Sequence, residues 1–248
     1  MLRLFTTKLR QSSMKQSMTL NNNYCFDSFK VGLSNQFAHA ASNSIAERPG
    51  ENFNPLVICG DVGLGKTHLL NAIGLKVVTL YPDFKVFCVS AEDFMNDLMD
   101  CIYLDRKQAF REKYEKLDCL LIDDIQFIAG RESVQDELFH VFNTLHVRKK
   151  QIVATSDVYP MYISNLDGRL RSMFNNGLTA DLQQPDDIET KLAIVKRTAS
   201  EIGLTLSNDT VENIALNTQT AKEIQLALVL YLIIPYLHSP ITTKGAQK

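Results

Sequence analysis

The stretch GDVGLGKT, Gly60 to Thr67, has the form GxxxxGK[ST]. Residue types at these spacings can hold a polyphosphate. Glycines at 60, 63 and 65 let peptide N–H groups curl around an anion with no Cβ in the way. A helix opening at Lys66 adds its positive dipole end to the same place. Lys66 can reach the β- and γ-phosphates, and the Thr67 hydroxyl can ligate Mg2+. A second cluster, LLIDD, ends an apolar run in Asp123 and Asp124. There Asp123 would join the Mg2+ shell, and Asp124 would orient or deprotonate an attacking water. A third, QIVATSD, ends in Thr155, Ser156 and Asp157. One of these senses the γ-phosphate, or the group only caps a turn.

Such residues work only if strands and helices bring them to one edge. The run NPLVICG reads as a strand leading into the glycines, and Gly65 to Leu80 as the helix after them. KVFCVS, DCLLIDDI, QIVATSD and LTADL read as further strands. Helices fall between them: SNQFAHAASNSIAE, capped by Ser34, then AEDFMNDLMDCIY, RKQAFREKYEKL and SVQDELFHVFNTLHVRK. In AEDFMNDLMDCIY, Phe94, Leu98, Met99 and Ile102 lie near one face, which reads as core. Strands alternating with helices predict a parallel sheet covered on both faces, with ligands at its carboxyl edge. After Pro185 three helical segments follow with no strand between them. The expected organisation is a basic leader at 1–22, an α/β nucleotide-binding part at 23–185 and a small helical lid at 186–248.

Bulk composition narrows the rest. The chain has 248 residues and a formal net charge of −2, so it does not grip DNA by overall charge. Cysteines stand at 25, 59, 88, 101 and 119 without CxxC or zinc spacing, and Cys59, Cys88 and Cys119 sit in apolar runs. Buried thiols in a reducing compartment are expected. The run IQLALVLYLIIPYL is too short to span a membrane and reads as a buried helix. The leader carries Arg3, Lys8, Arg10 and Lys15 and no acid among the first 26 residues. It suits a flexible cytoplasmic tail or, alternatively, an organelle presequence.

Three segments together, NPLVICGDVGLGKTHLLNAIG, LLIDDIQFIAGRESVQDELFHVFN and TSDVYPMYISNLDGRLRSMF, resemble the AAA+ domain of the DnaA family of bacterial replication initiators. YCFDSFKVGLSNQFAHAA resembles the segment leading into that domain. The resemblance covers roughly residues 23–245. It implies an AAA+ P-loop NTPase fold and ATP-dependent head-to-tail assembly, with single-stranded DNA contacted by the assembly. It places ATP and Mg2+ on Gly60, Gly63, Gly65, Lys66 and Thr67. Asp123 and Asp124 become the Walker B acids, and Asp157 takes the sensor 1 position. Met99 and Arg131 stand at DNA-contact positions. On residue chemistry alone Met99 reads as core and Arg131 as a solvated charge.

Departures from the family pattern limit what carries over. Where the family has a second arginine reaching into a neighbouring subunit's ATP, this chain has Met173, which offers no charged fork to a phosphate. Arg169 and Arg171 remain as candidate inter-subunit cations. The lid's phosphate-sensing arginine is Lys222, which keeps the charge but not the bidentate geometry. Asp100 stands where a basic residue would suit a DNA channel. The resemblance places PITTKGAQK just before the family's duplex-reading domain, so no sequence-specific duplex binding is expected. The expected activity is slow ATP hydrolysis, with self-assembly or assembly with a full-length initiator. A regulatory paralogue, a decayed fragment that holds nucleotide and a helicase loader are the alternative readings.

Overall fold

A computed structural model describes residues 20–237. Most of the basic leader and the last eleven residues lie outside them. The chain divides into two compact units, Met1–Gly60 with Gly65–Gln183, and Asp61–Leu64 with Gln184–Lys248.

The first unit is built on five strands: β1 (Leu56–Gly60), β2 (Val86–Ser90), β3 (Cys119–Asp123), β4 (Gln151–Ser156) and β5 (Leu178–Leu182). Their order is β2-β3-β4-β1-β5, and every pairing is parallel. Sheet position explains the sequence pattern. β3 and β4 are buried at every residue and are apolar through their middles, Cys119–Ile122 and Ile152–Ala154, with buried polar residues at their ends, whereas the edge strands β2 and β5 have partly open positions. Among the described residues this unit has six α-helices, α1 (Gln36–Glu47), α2 (Lys66–Leu80), α3 (Ala91–Tyr103), α4 (Lys107–Glu115), α5 (Glu132–Val147) and α6 (Gly168–Asn175), with three short 3-10 turns. All five strands and the first five of these helices stand where the sequence pattern puts them; α6 lies in YPMYISNLDGRLRSMF, a segment to which the sequence pattern assigned no element. Every strand runs toward one edge, so β1, β3 and β4 deliver their last residues side by side.

Three local expectations are corrected. Ser34 does not cap α1; the cap position is Asn35, and the Ser34 carbonyl instead accepts the Gln183 N–H at 3.0 Å. On α3 the buried residues are Ala91, Phe94 and Leu98, while Met99 and Ile102 are each 45% exposed. The reading of Met99 as core is therefore wrong. Phe94 faces Phe110 and Tyr114 of α4, with ring centroids 5.2 and 4.9 Å apart. This aromatic cluster holds the charged α4 in place and leaves the far side of α3 open.

The second unit holds α7 (Ile188–Glu201), α8 (Asn208–Asn217) and α9 (Ala221–Leu237). Asp187 and Ser207 cap the first two, accepting the Thr190 and Thr210 N–H groups. A small core forms from Ile194, Val195, Ala199, Val211, Ala215, Ile224 and Leu228. The third correction falls here. The apolar α9 is a helix, but it is not buried along its length. Among its described side chains the buried positions are 221, 224 and 228, and Val229 to Ile233 are all exposed. The helix continues past the last turn that α7 and α8 cover. No helix among the described residues is long and apolar enough to cross a membrane.

Candidate functional site

The loop after β1 owes its shape to glycines at positive φ. Gly60 has φ 148°, and a Cβ there would lie 2.5 Å from the Leu182 carbonyl oxygen. Gly65 has φ 102° and forms the N-cap of α2, a backbone that side chains rarely adopt. Lys66, the first residue of α2, is 6% exposed. Its Nζ donates to the Gly60 carbonyl at 2.7 Å and pairs with Asp157 Oδ1 at 2.7 Å. The lysine thus lies back along the loop, toward the end of β4.

Thr67 Oγ1 donates to Asp123 Oδ2 at 2.8 Å. Asp123, the last residue of β3, is 5% exposed. Its other oxygen accepts a short hydrogen bond from the Thr155 hydroxyl. That hydroxyl in turn accepts the Asp124 N–H at 2.8 Å. Burial pushes the Asp123 carboxyl above its ordinary range, and the Asp124 charge adds to the rise. The Thr155 and Thr67 hydrogen bonds and the Lys66 charge oppose it.

Asp124 sits in the left-handed region at φ 60°, ψ 53°. Such a conformation at a non-glycine residue is strained unless its surroundings enforce it. Thr155 enforces it from the backbone side and Gln126 from the side chain, whose Nε2 donates to Asp124 Oδ1 at 3.1 Å. The Gln126 oxygen accepts the Asp157 N–H at 3.3 Å. Gln126 therefore ties Asp124 to Asp157. Residue chemistry did not single it out; its signal was its place two positions after the paired acids. Of the three polar residues ending β4, Thr155 touches Asp123 and Asp157 pairs with Lys66.

The other candidates stand apart from this cluster. Arg131 is exposed at the N-cap of α5. Met99 and Asp100 are exposed on α3. Arg169, 53% exposed, bonds Asp136 and, at 3.0 Å, Asp167, and lies over the Phe139 ring. Arg171 donates to the carbonyls of Ile163 and Leu166 at 3.0 and 3.2 Å. Met173 packs partly buried against the main core. In the helical unit, Lys222 is exposed on the first turn of α9. There the sequence reading missed Arg197, whose Nη2 donates to the Gly63 carbonyl at 2.7 Å. Cys59 and Cys88 are buried, with thiols pushed up to about 12 by burial, which leaves them unreactive as expected.

Comparisons with known proteins converge on one group. Residues 20–181 match the family described as the bacterial DnaA ATPase domain. The chromosomal replication initiator protein DnaA of Rippkaea orientalis is 52% identical over 211 residues, covering 85% of this chain and 46% of that protein. The chain spans about half the length of the curated relatives it matches. Among solved structures, domain III of the Thermotoga maritima replication initiation protein DnaA is 40% identical with a TM-score of 0.78, over 93% of this chain and 94% of that one. A replication initiator DnaA bound to AMPPCP and single-stranded DNA is 34% identical with a TM-score of 0.73, over 87% and 66%.

Proposed function

Because this chain belongs to the bacterial DnaA ATPase domain family, we propose that it is an ATP-controlled module of the replication-initiator type. The observation carrying this reading is the junction of Thr67 with Asp123 beside the Lys66–Asp157 pair, at the ends of β1, β3 and β4. ATP is bound by the peptide N–H groups of the glycine loop and by Lys66, which exchanges Asp157 for phosphate oxygens. The Thr67 hydroxyl and the Asp123 carboxylate are hard oxygen donors 2.8 Å apart. That pair suits Mg2+, which keeps several waters and takes the rest of its shell from phosphates. When bound, the ion neutralises phosphate charge. Asp124, held by Thr155 and Gln126, is placed to orient the attacking water.

Hydrolysis is slow in this reading, because Met173 cannot stabilise charge on a neighbour's nucleotide. To act in its place, Arg169 would have to leave Asp136 and Asp167, and Arg171 would have to leave its two carbonyls. ATP then serves mainly as a switch for self-assembly, or for assembly with a full-length initiator. Single-stranded DNA is met through the exposed Met99 and Arg131. Lys222 takes the lid's phosphate-sensing role, and the setting is cytoplasmic. A helicase-loader reading is not favoured, since the relatives near half identity are initiators.

The deciding experiment is equilibrium binding of ATP to the wild type and to Lys66→Ala. Tight binding lost by at least about a hundredfold in the folded variant supports the reading. No binding by a folded wild type rejects it.

A further inference from the structure

The middle of the phosphate loop, Asp61–Leu64, groups with the helical unit. Three contacts hold it there. Arg197, on α7, donates from Nη2 to the Gly63 carbonyl at 2.7 Å. Gln184 donates from Nε2 to Asp61 Oδ2 at 2.8 Å, while its oxygen accepts the Ala221 N–H at 2.9 Å. Gly63 lies so close to α9 that a Cβ on it would be 3.3 Å from the Ala221 Cβ. Arg197 is itself steadied, with Nε 3.6 Å from Glu201 Oε1 one turn along.

An anion-binding loop works only if its N–H groups face the anion and its carbonyls face away. The Gly63–Leu64 peptide is trans, so its C=O and N–H point in opposite directions. With the carbonyl captured by a guanidinium, the Leu64 N–H is aimed the other way. Gly63, at φ 87°, has no side chain to resist rotation of that peptide. The charged hydrogen bond also polarises the peptide and strengthens the donor at its other end.

We propose that Arg197 is a positioning residue for the phosphate loop, locking the Gly63–Leu64 peptide so that the Leu64 N–H is offered to a phosphate, with Gln184 holding Asp61 in the same loop. The proposal rests on the nucleotide-binding reading above. It differs from direct sensing of a γ-phosphate. Arg197 acts through the backbone, and loop N–H groups serve the inner phosphates, so ATP and ADP depend on it alike.

The test is equilibrium binding of ATP and of ADP to the full chain as wild type, Arg197→Met, Arg197→Lys and Lys66→Ala, each with a thermal melt. Arg197→Met is expected to weaken both nucleotides by about tenfold with an unchanged melting midpoint. Arg197→Lys is expected to restore most of that loss, since one ammonium can still serve one carbonyl. A loss confined to ATP would make Arg197 a γ-phosphate contact and overturn the proposal. Wild-type affinity in Arg197→Met, beside lost binding in Lys66→Ala, would overturn it as well, with the nucleotide reading intact. A folded wild type that binds neither nucleotide removes both. Should Arg197→Met fail to melt cooperatively, Gln184→Ala takes its place. About threefold weaker binding of both nucleotides is then expected, and unchanged affinity would overturn the proposal.

Discussion

Glu137, on α5, and Asp123, at the end of β3, are both buried carboxylates, 3% and 5% exposed. Their company differs. Glu137 accepts two hydrogen bonds from Arg111, each 2.8 Å, and pairs with Lys107 at 2.6 Å. The Arg111 bonds, against the opposing effect of burial, hold its carboxyl at about 2. Among the described residues, Asp123 accepts from the hydroxyls of Thr67 and Thr155, and its carboxyl is pushed up. The cation of the phosphate loop, Lys66, pairs with Asp157 instead. The first arrangement is complete and staples α4 to α5. The second holds a buried carboxyl among neutral donors, an arrangement that makes its ionised form costly and that suits a cation arriving with the ligand.

Neutralising each carboxylate should therefore move a different quantity. The largest effect is expected from Asp123→Asn. ATP turnover should fall about a hundredfold, while the melting midpoint rises by about 2–4 °C as the buried charge goes. A lower midpoint would break the comparison. Glu137→Gln should do the reverse. It leaves Arg111 and Lys107 without their partner and costs about 2 kcal/mol, or roughly 4–8 °C in the midpoint. ATP affinity should stay within about twofold of wild type, as a paired binding assay and melt would show.

The pH dependence of those melts sharpens the contrast, because the signs oppose. The Glu137 carboxyl is depressed, so its stabilisation is present above the unfolded value of about 4.3 and disappears as pH falls toward about 2. The deficit of Glu137→Gln should shrink over that window. The Asp123 carboxyl is raised, so the folded wild type holds its proton more tightly than the unfolded chain and loses stability as pH rises through the folded value. The advantage of Asp123→Asn should grow as pH rises. The smallest effect is expected from Arg111→Lys. It keeps the charge and loses the two-pronged geometry, costing about 1 kcal/mol or less by denaturant melt.

The phosphate loop was legible because its function demands glycine where no other residue fits and lysine at a helix start. Strand identity was legible for a similar reason. A strand buried on both faces is apolar through its middle, as Cys119–Ile122 of β3 and Ile152–Ala154 of β4 are. Partnership was less legible. Thr155 and Asp157 sit two residues apart on one strand end, and their separate bonds, to Asp123 and to Lys66, depend on β4 lying between β1 and β3. Met99 shares the apolar character of Phe94 and Leu98, and only the seat taken by Phe110 and Tyr114 decides which face of α3 is covered.

By itself, then, the sequence determined which elements form and which residues can hold a phosphate and a hard cation, since these follow from local sterics and residue chemistry. Tertiary structure alone decided which buried acid is paired with cations, which is held by hydroxyls, and that Arg197, more than 130 residues along the chain from Gly63, captures that glycine's carbonyl. Those outcomes depend on distances between segments remote in the chain, and no local pattern records such distances.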